Sequence, residues 1–319
     1  MANSEHLAVL KQGASRWNAW RNQNPQYVPD LSDAPLSGAR LTAINLAGAN
    51  LRGADLSQAQ LADADLSQAN LSKANVGGAN LANATLVAAE MAIAYLSAAN
   101  LQGADLSSAN LIGAVLQHAN LRDADLSAAN LIGTDLSHAT LRGAMLTQAK
   151  LSRTSLVLAD LHNANLHSAD LQDATLSQAA LVGVNLCHAN LRGANLNQTH
   201  LSSANLVAAS FCDAQLTGVD LRWADLRNAD FSRADLTRAR LNGANLSRAN
   251  LQNACLREAA LVCTTLSRAN LTEADFGGAD LIGAIANRAY WQATRWPSGE
   301  VSSQPPPCLS SEPYLNYRD

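Results

Sequence analysis

The sequence predicts an all-β solenoid, in which short extended segments wind as a coil around a shared apolar interior. Three observations support this fold class. Leucine recurs every fifth residue, without a change of register, from Leu31 to Leu281. Alanine stands two residues before most of these leucines, so both side chains lie on one face of a short extended segment. Most of the 18 glycines lie two residues after the leucine, where a type II turn needs a positive φ.

A five-residue period fits neither a regular α-helix nor a continuous β-strand. On a helix, leucines five residues apart would spread around the whole circumference. On one strand, an odd period would place successive leucines on opposite faces. The residues between one Ala-Leu pair and the next must therefore turn a corner. Asn or Asp usually precedes the leucine, and short side chains of this kind hydrogen-bond the local backbone at corners.

Composition excludes several classes of protein. Of the 319 residues, 48% are hydrophobic, 4% are aromatic and 15% are charged, and the net charge is −4. A disordered chain would contain fewer apolar residues and a higher net charge. A broadly basic nucleic-acid-binding protein is not expected, because the net charge is negative. No apolar run reaches the roughly 18 residues that a membrane helix needs.

The repeating unit resembles that of the pentapeptide-repeat family, whose pattern is A(D/N)LXX. Residues 49–53 (ANLRG) and 104–108 (ADLSS) carry this resemblance, and it extends over residues 30–285. It implies a right-handed quadrilateral β-helix with four pentapeptides in each coil, and therefore about 13 coils. Pairs of unusual residues 20 positions apart, such as Phe211 and Phe231, agree with four sides.

The two ends of the repeat should be closed, because an open coil exposes apolar core and unpaired backbone. Residues 1–29 are predicted to form an N-terminal capping helix, over 4–22, and a linker. Leu7, Leu10, Ala14 and Trp17 follow helical spacing there. The segment 7–21 also resembles the helix that precedes the repeats in many cyanobacterial family members. Residues 286–296, with larger rings, are predicted to form a C-terminal cap, and residues 297–319 a flexible Ser/Pro-rich tail.

No motif for catalysis, phosphate binding or metal binding occurs in the sequence. We therefore expect no enzymatic activity, no catalytic or metal-binding residues and no cofactor. His118 and His138 would lie on adjacent coils, but two histidines without a carboxylate pair make a poor metal site. The five cysteines are irregularly spaced and the N-terminus lacks a signal peptide. We expect reduced thiols and a cytoplasmic location.

Function is therefore expected on the outside of the coils. One group of apolar residues should adjoin a single corner over three successive coils and form a candidate partner-binding or dimer surface. Its members are Ile93, Tyr95, Ile112, Val115 and Ile132. The alternative is that these are scattered surface residues without a role. The pair Val157-Leu158 also replaces the usual polar residues and extends the candidate surface.

A second candidate partner-binding group lies nearer the C-terminal end and combines arginine with tryptophan, a frequent pairing at interface hot spots. It consists of Arg222, Trp223, Arg227, Arg248 and Arg268, accompanied by Arg240 and Arg288. Interleaved Asp225, Asp230 and Asp235 could neutralise this charge. The alternative is therefore a solvated face of ion pairs.

These features favour a non-enzymatic interaction scaffold that presents a rigid β-helical rod to a protein partner, with a second copy of the chain as one candidate. The family resemblance offers an alternative, a DNA-mimicking regulator that inhibits or protects a type II topoisomerase. The repeat carries 21 acidic and 16 basic residues, a charge density far below that of DNA. Charge therefore argues against the alternative, and neither nucleic-acid binding nor a membrane span is expected.

Overall fold

The computed structural model describes residues 2–303 and consists of two compact units, which we treat separately. Unit 1 comprises residues 2–179 and unit 2 comprises residues 180–303. Both units are built from the same five-residue element. In each, a short extended segment is followed by a turn, and this pattern continues through the repeats.

Each unit is a β-solenoid in which four pentapeptides complete one coil. Residue i pairs in parallel with residue i+20, as Asp30 does with Asn50 in unit 1 and Ala180 with His200 in unit 2. Hydrogen bonds join the coils along every side. For example, the Leu31 amide donates to the Asn50 carbonyl at 2.8 Å. The backbone polar groups of one coil are thus satisfied by the next coil.

The corners are tight turns with the geometry that the sequence predicts. The Ala34 amide donates to the Leu31 carbonyl at 3.1 Å, and the third residue of such turns has a positive φ, for example 66° at Gly53. This combination defines a type II turn. Glycine is not required, since Gln58 has a φ of 59° at the same position. Its amide still donates to the Gly77 carbonyl of the next coil, at 2.9 Å, which holds the turn in place.

Asparagine and aspartate satisfy the corners in two ways. Asp55 Oδ1 accepts the amide of Ser57 at 3.1 Å, within one corner. Asn120 Nδ2 donates to Asn100 Oδ1 of the preceding coil at 2.9 Å. The first contact stabilises the turn and the second aligns successive coils.

The interior is a stack of leucine and alanine side chains that are almost completely inaccessible to solvent. Threonine replaces alanine at a few inward positions, and its hydroxyl finds a partner there. Thr134 Oγ1 donates to the Leu111 carbonyl at 2.8 Å in unit 1, and Thr264 Oγ1 donates to the Leu241 carbonyl at 2.9 Å in unit 2. Unit 2 also contains Phe211 and Phe231, whose stacked rings lie 4.7 Å apart.

The N-terminal segment of unit 1 forms two helices rather than the single helix expected over residues 4–22. Helix α1 spans Ser4–Leu10 and helix α2 spans Ala14–Gln23. Gly13, with a φ of 99°, breaks the helix between them. Trp17 is fully buried, and its indole Nε1 donates to the Asn45 carbonyl at 2.6 Å. No helix in the described part of the chain is long and apolar enough to cross a membrane.

The C-terminal segment of unit 2 ends in a two-residue hairpin. Strand β1 (Thr294–Arg295) pairs antiparallel with strand β2 (Val301–Ser302). Trp296 is almost fully buried, and its ring stacks on Phe276 with 5.9 Å between centroids. Ordered structure therefore continues beyond residue 296, where the tail was expected to begin, because the backbone folds back onto β1. The rest of the predicted tail, residues 304–319, lies outside the described residues.

Candidate functional surfaces

The five apolar residues predicted to share a corner lie on consecutive coils of unit 1, and we call them the apolar corner. Ile93, Tyr95 and Ile112 are exposed, at 51%, 53% and 40%. Val115 and Ile132 are half-buried. The Ile93 amide donates to the Ile112 carbonyl at 2.9 Å, and Tyr95 pairs with Val115 in a parallel bridge. The backbone therefore places these residues next to one another.

Ile93 occupies an unusual backbone conformation for its side chain. Its φ is 58°, and no other β-branched residue between positions 2 and 303 has a positive φ. A left-handed conformation is unfavourable for L-residues and particularly so for β-branched ones. Gly113 follows on the next coil, where an added Cβ would lie 3.9 Å from Ile93 Cγ1. The side chain of Ile93 thus extends over a neighbour that has none.

Several other apolar side chains are exposed, and of these the sequence predicted only Leu158 as part of a contact surface. Leu158, predicted to extend the apolar surface, is 46% exposed, and Met145 is 47% exposed. In unit 2, Ile282 and Ile285 are exposed as well. Met145 and Ile285 occupy the position before the inward residue, which normally holds Asn or Asp. This departure from the repeat pattern is the signal that could have identified them.

The half-buried Arg222 and the exposed Trp223 lie at one corner of unit 2. Arg222 Nη2 donates to Asp220 Oδ2 at 2.6 Å, and Arg240 Nη1 lies 3.6 Å from the same oxygen. Trp223 is 69% exposed, and its ring covers Gly243, where a Cβ would come within 2.3 Å of the ring. The glycine therefore allows the indole to lie flat against the next coil.

Asp220 is a buried carboxylate that sequence reasoning did not select. Its side chain is only 8% exposed. Burial alone raises its pKa, but hydrogen bonds from Arg222 and the charges of Arg222 and Arg240 outweigh burial and hold the pKa below its ordinary value. Two arginines that were candidates for partner binding are thus committed to an internal ion pair.

Arg227 lies at the corner following that of Arg222 and is also neutralised. Its Nη2 donates to Asp225 Oδ2 at 2.6 Å. The hydrogen bonds from Arg227 lower the pKa of the Asp225 carboxyl more than burial raises it. Asp230 and Asp235, also considered as neutralising groups, accept hydrogen bonds from other residues instead. Asp230 accepts from Ser232 and Asn250, and Asp235 accepts from Thr217 and Thr237.

Arg248, Arg268 and Arg288 occupy the same corner on three consecutive coils, and we call them the arginine column. All three are exposed. A shallow groove of about 410 Å³ lies beside the column. It is lined by Arg227, Asn228, Ser247, Arg248, Ser267 and Arg268. The structure thus separates the predicted basic group into neutralised arginines and this column.

The predicted pair His118 and His138 does stack, with ring centroids 4.8 Å apart and an angle of 15° between the planes. No group of three or more His, Cys, Asp or Glu residues suited to a metal ion is present within residues 2–303. The histidines therefore form a surface ring contact in unit 1 without the further ligands that a metal site needs.

Comparison with known proteins identifies the repeat. The family model for pentapeptide repeats matches eight times, at residues 30–68, 64–103, 89–127, 119–156, 141–178, 179–218, 214–253 and 249–285. The crystal structure of HetL, a pentapeptide repeat protein involved in heterocyst differentiation regulation from the cyanobacterium Nostoc sp. strain PCC 7120, shows 35% identity. That alignment covers 65% of this chain and 91% of HetL, with a TM-score of 0.48.

Two further solved structures are more distant. QnrB1, a plasmid-mediated fluoroquinolone resistance protein, is 22% identical over 55% of this chain and 86% of its own, with a TM-score of 0.32. A pentapeptide repeat protein from the thylakoid lumen of Arabidopsis thaliana is 23% identical. It covers 44% of this chain and 69% of its own, with a TM-score of 0.19. No curated protein matches the sequence.

Proposed function

Because the chain belongs to the pentapeptide repeat family, we propose that it is a non-enzymatic scaffold that presents the rigid surface of its β-helical coils to a protein partner. The apolar corner of unit 1 is the observation that carries this proposal. HetL, which is 35% identical, is involved in the regulation of heterocyst differentiation. A cytoplasmic location is part of the proposal.

The energetics of the apolar corner support a binding role. Ile93, Tyr95 and Ile112 are between 40% and 53% exposed, so a partner could bury further apolar area on each of them. Burial of apolar surface yields about 25 cal/mol per Å². The coil backbone is already ordered by hydrogen bonds on both sides. Binding there requires little additional ordering, which lowers its entropic cost.

The strain at Ile93 adds a second argument. A residue in a disfavoured conformation persists where the surroundings impose it, and such residues concentrate at functional sites. Glycine holds the equivalent position in the next two coils, at Gly113 and Gly133. The chain therefore places a β-branched residue with a positive φ in the apolar corner, where it is half exposed.

The topoisomerase alternative is less well supported. A mimic of DNA needs a dense and continuous negative surface. Unit 2 instead presents arginines whose charges neutralise its aspartates, as Arg222 does for Asp220. A gyrase supercoiling assay with added protein tests this alternative directly, and inhibition or protection of gyrase would favour it over the scaffold.

The scaffold proposal is tested by affinity purification from the native host with quantitative mass spectrometry. The full-length chain is compared with the variant Ile93→Asp/Ile112→Asp. The control Gln102→Asp/Ser108→Asp adds the same charge at exposed positions of unit 1 that lie outside the apolar corner. We expect a partner whose recovery falls about tenfold or more with the corner variant and less than about twofold with the control.

Two further measurements make the outcome interpretable. Thermal unfolding of the corner variant should stay within a few degrees of the wild type, since both substitutions are at exposed positions. Light scattering determines whether the chain is a dimer that the corner variant dissociates, in which case the partner is a second copy. If all three proteins recover the same partners and have the same mass, the apolar corner is not the binding surface.

A further inference from the structure

The ion pairs of unit 2 reveal an asymmetry among its arginines. Residues 180–303 contain eleven arginines, and eight of them lie within 4 Å of a carboxylate. The eight are Arg192, Arg222, Arg227, Arg233, Arg238, Arg240, Arg257 and Arg295. The three without an ion pair among the described residues are those of the arginine column, Arg248, Arg268 and Arg288.

The sequence around the column explains the missing partners. On either side of Arg248 and Arg268 at their own corner, the positions that hold aspartate at other corners are occupied by Asn245, Asn250, Thr265 and Asn270. Beside Arg288 they are Ile285 and Tyr290. At the same corner of the preceding coil the carboxylates are engaged, since Asp225 accepts from Arg227 and Asp230 from Asn250. The column therefore has no carboxylate of its own.

Stacking three unpaired cations is unfavourable in the free protein. Parallel coils lie about 4.8 Å apart, and like charges on adjacent strands destabilise the pairing. An aspartate at any of the flanking positions named above would relieve this repulsion, but none of them holds one. An external anion that contacts all three guanidinium groups would also relieve it and would gain charge-assisted hydrogen bonds.

We propose that the arginine column binds a short acidic segment of a protein partner, rich in Asp or Glu and extended along the stack of coils. Side chains on one face of an extended peptide recur about every 6.7 Å, a spacing that the long arginine side chains can follow. Arg also suits carboxylate better than Lys does, because its planar donors bind both oxygens. This surface is in unit 2, so the proposal goes beyond the apolar corner and does not depend on it.

The surroundings favour a peptide over a nucleic acid. Ile285 and Tyr290, exposed at 49% and 67%, flank Arg288, and an aliphatic side chain beside the cations suits a peptide. The next corner after Arg268 carries the exposed Glu273, and Asp280 is exposed further along the same coil. These carboxylates repel a long polyanion. Proteins that bind nucleic acids neutralise more phosphates, typically about six to ten, than three arginines can.

The test measures fluorescence anisotropy of a labelled five-residue glutamate peptide, which places three carboxylates on one face, against the full-length protein at low salt. The variant Arg248→Gln/Arg268→Gln/Arg288→Gln should weaken binding about tenfold or more, since three ion pairs are lost. The control Arg192→Gln/Arg238→Gln/Arg257→Gln removes the same charge from exposed, ion-paired arginines of unit 2. It should weaken binding less than about twofold, and the Arg→Lys triple variant should be intermediate.

Three results would overturn the proposal. They are no binding of the peptide, equal weakening by the two Gln variants, and tighter binding of a single-stranded oligonucleotide of equal charge through the column. The unfolding temperature of the column variant should equal or exceed that of the wild type, which separates lost binding from lost folding. Since the experiment leaves Ile93 and Ile112 unchanged, its failure is distinguishable from failure of the scaffold proposal.

Discussion

The apolar corner of unit 1 and the arginine column of unit 2 share one backbone geometry and have opposite chemistry. The Ile93 amide donates to the Ile112 carbonyl at 2.9 Å, and the Arg248 amide donates to the Ser267 carbonyl at 2.9 Å. The φ angles of Ile93 and Arg248 are 58° and 61°. A corner is therefore held by its backbone hydrogen bonds and inward side chains. Its outward residues can change without changing the fold.

The two surfaces differ in how their outward side chains compare with those of the rest of the unit. Apolar residues of the first corner are left half exposed, whereas most cations of unit 2 have a carboxylate beside them. The arginine column is the exception in unit 2, as the apolar corner is in unit 1. In unit 1 most outward residues are polar, and in unit 2 most arginines are ion-paired. A candidate binding surface is recognised where the residues depart from that pattern, whatever their type.

The largest expected effect tests whether folding depends on the interior alone. Leu111 and Leu246 are almost fully buried in units 1 and 2. Leu111→Ala or Leu246→Ala should each lower the free energy of unfolding by about 3 kcal/mol, because the substitution removes buried apolar surface and leaves a cavity. Urea unfolding followed by circular dichroism measures this change. The neighbouring Ile112→Ala, at an exposed position, should cost less than about 0.5 kcal/mol, and an equal cost at both positions would show that the corner also stabilises the fold.

An intermediate effect tests the neutralised arginines. Asp220→Asn should destabilise the protein by about 1–2 kcal/mol at pH 7, since it removes charge-assisted hydrogen bonds to a buried carboxylate. The folded pKa of Asp220 is lowered, so its contribution is complete above the unfolded value of about 3.9. The contribution is lost as the pH falls through the folded pKa. Thermal unfolding measured from pH 7 to pH 2 should show the wild type and the variant converging.

The carboxylate of Asp213 provides a second test of the same acid dependence. Hydrogen bonds from Arg233 and Cys212 lower the pKa of Asp213 to about 2. Asp213 should therefore keep its ion pairs to lower pH than an unperturbed carboxylate. Asp213→Asn should also lose part of the acid dependence. If both variants keep the full acid dependence of the wild type, other carboxylates are responsible.

The smallest expected effect tests the strain at Ile93. Ile93→Gly should stabilise unit 1 by about 1 kcal/mol, because glycine adopts a positive φ without steric cost. Differential scanning calorimetry would show this as a higher unfolding temperature. Gly113→Ile, which introduces a β-branched residue at the same position of the next coil, should lower it by a similar amount. A lower temperature for Ile93→Gly would show that the side chain of Ile93 stabilises the coil.

Much of the architecture was predictable from local patterns. The Ala-Leu spacing predicted the inward face, and the position of glycine predicted the type II corners. The family, recognised from repeats such as residues 49–53, is confirmed by the family match over residues 30–285. The break at Gly13 and the return of Val301–Ser302 onto β1 were missed. Both depend on contacts outside the repeat, where no periodicity constrains the chain.

The sequence by itself determined the repeating element, because each pentapeptide carries its own inward pair and its own corner. It also determined which outward residues depart from the pattern. Only the tertiary structure decided which charges are compensated. Arg222 and Arg268 both occupy outward positions of their own pentapeptides, yet only Arg222 lies beside a carboxylate whose pKa is lowered. The reason is that an ion pair depends on which side chains lie within about 4 Å. In unit 2 the coil brings together ion-paired residues that are 2, 18, 20 or 21 positions apart.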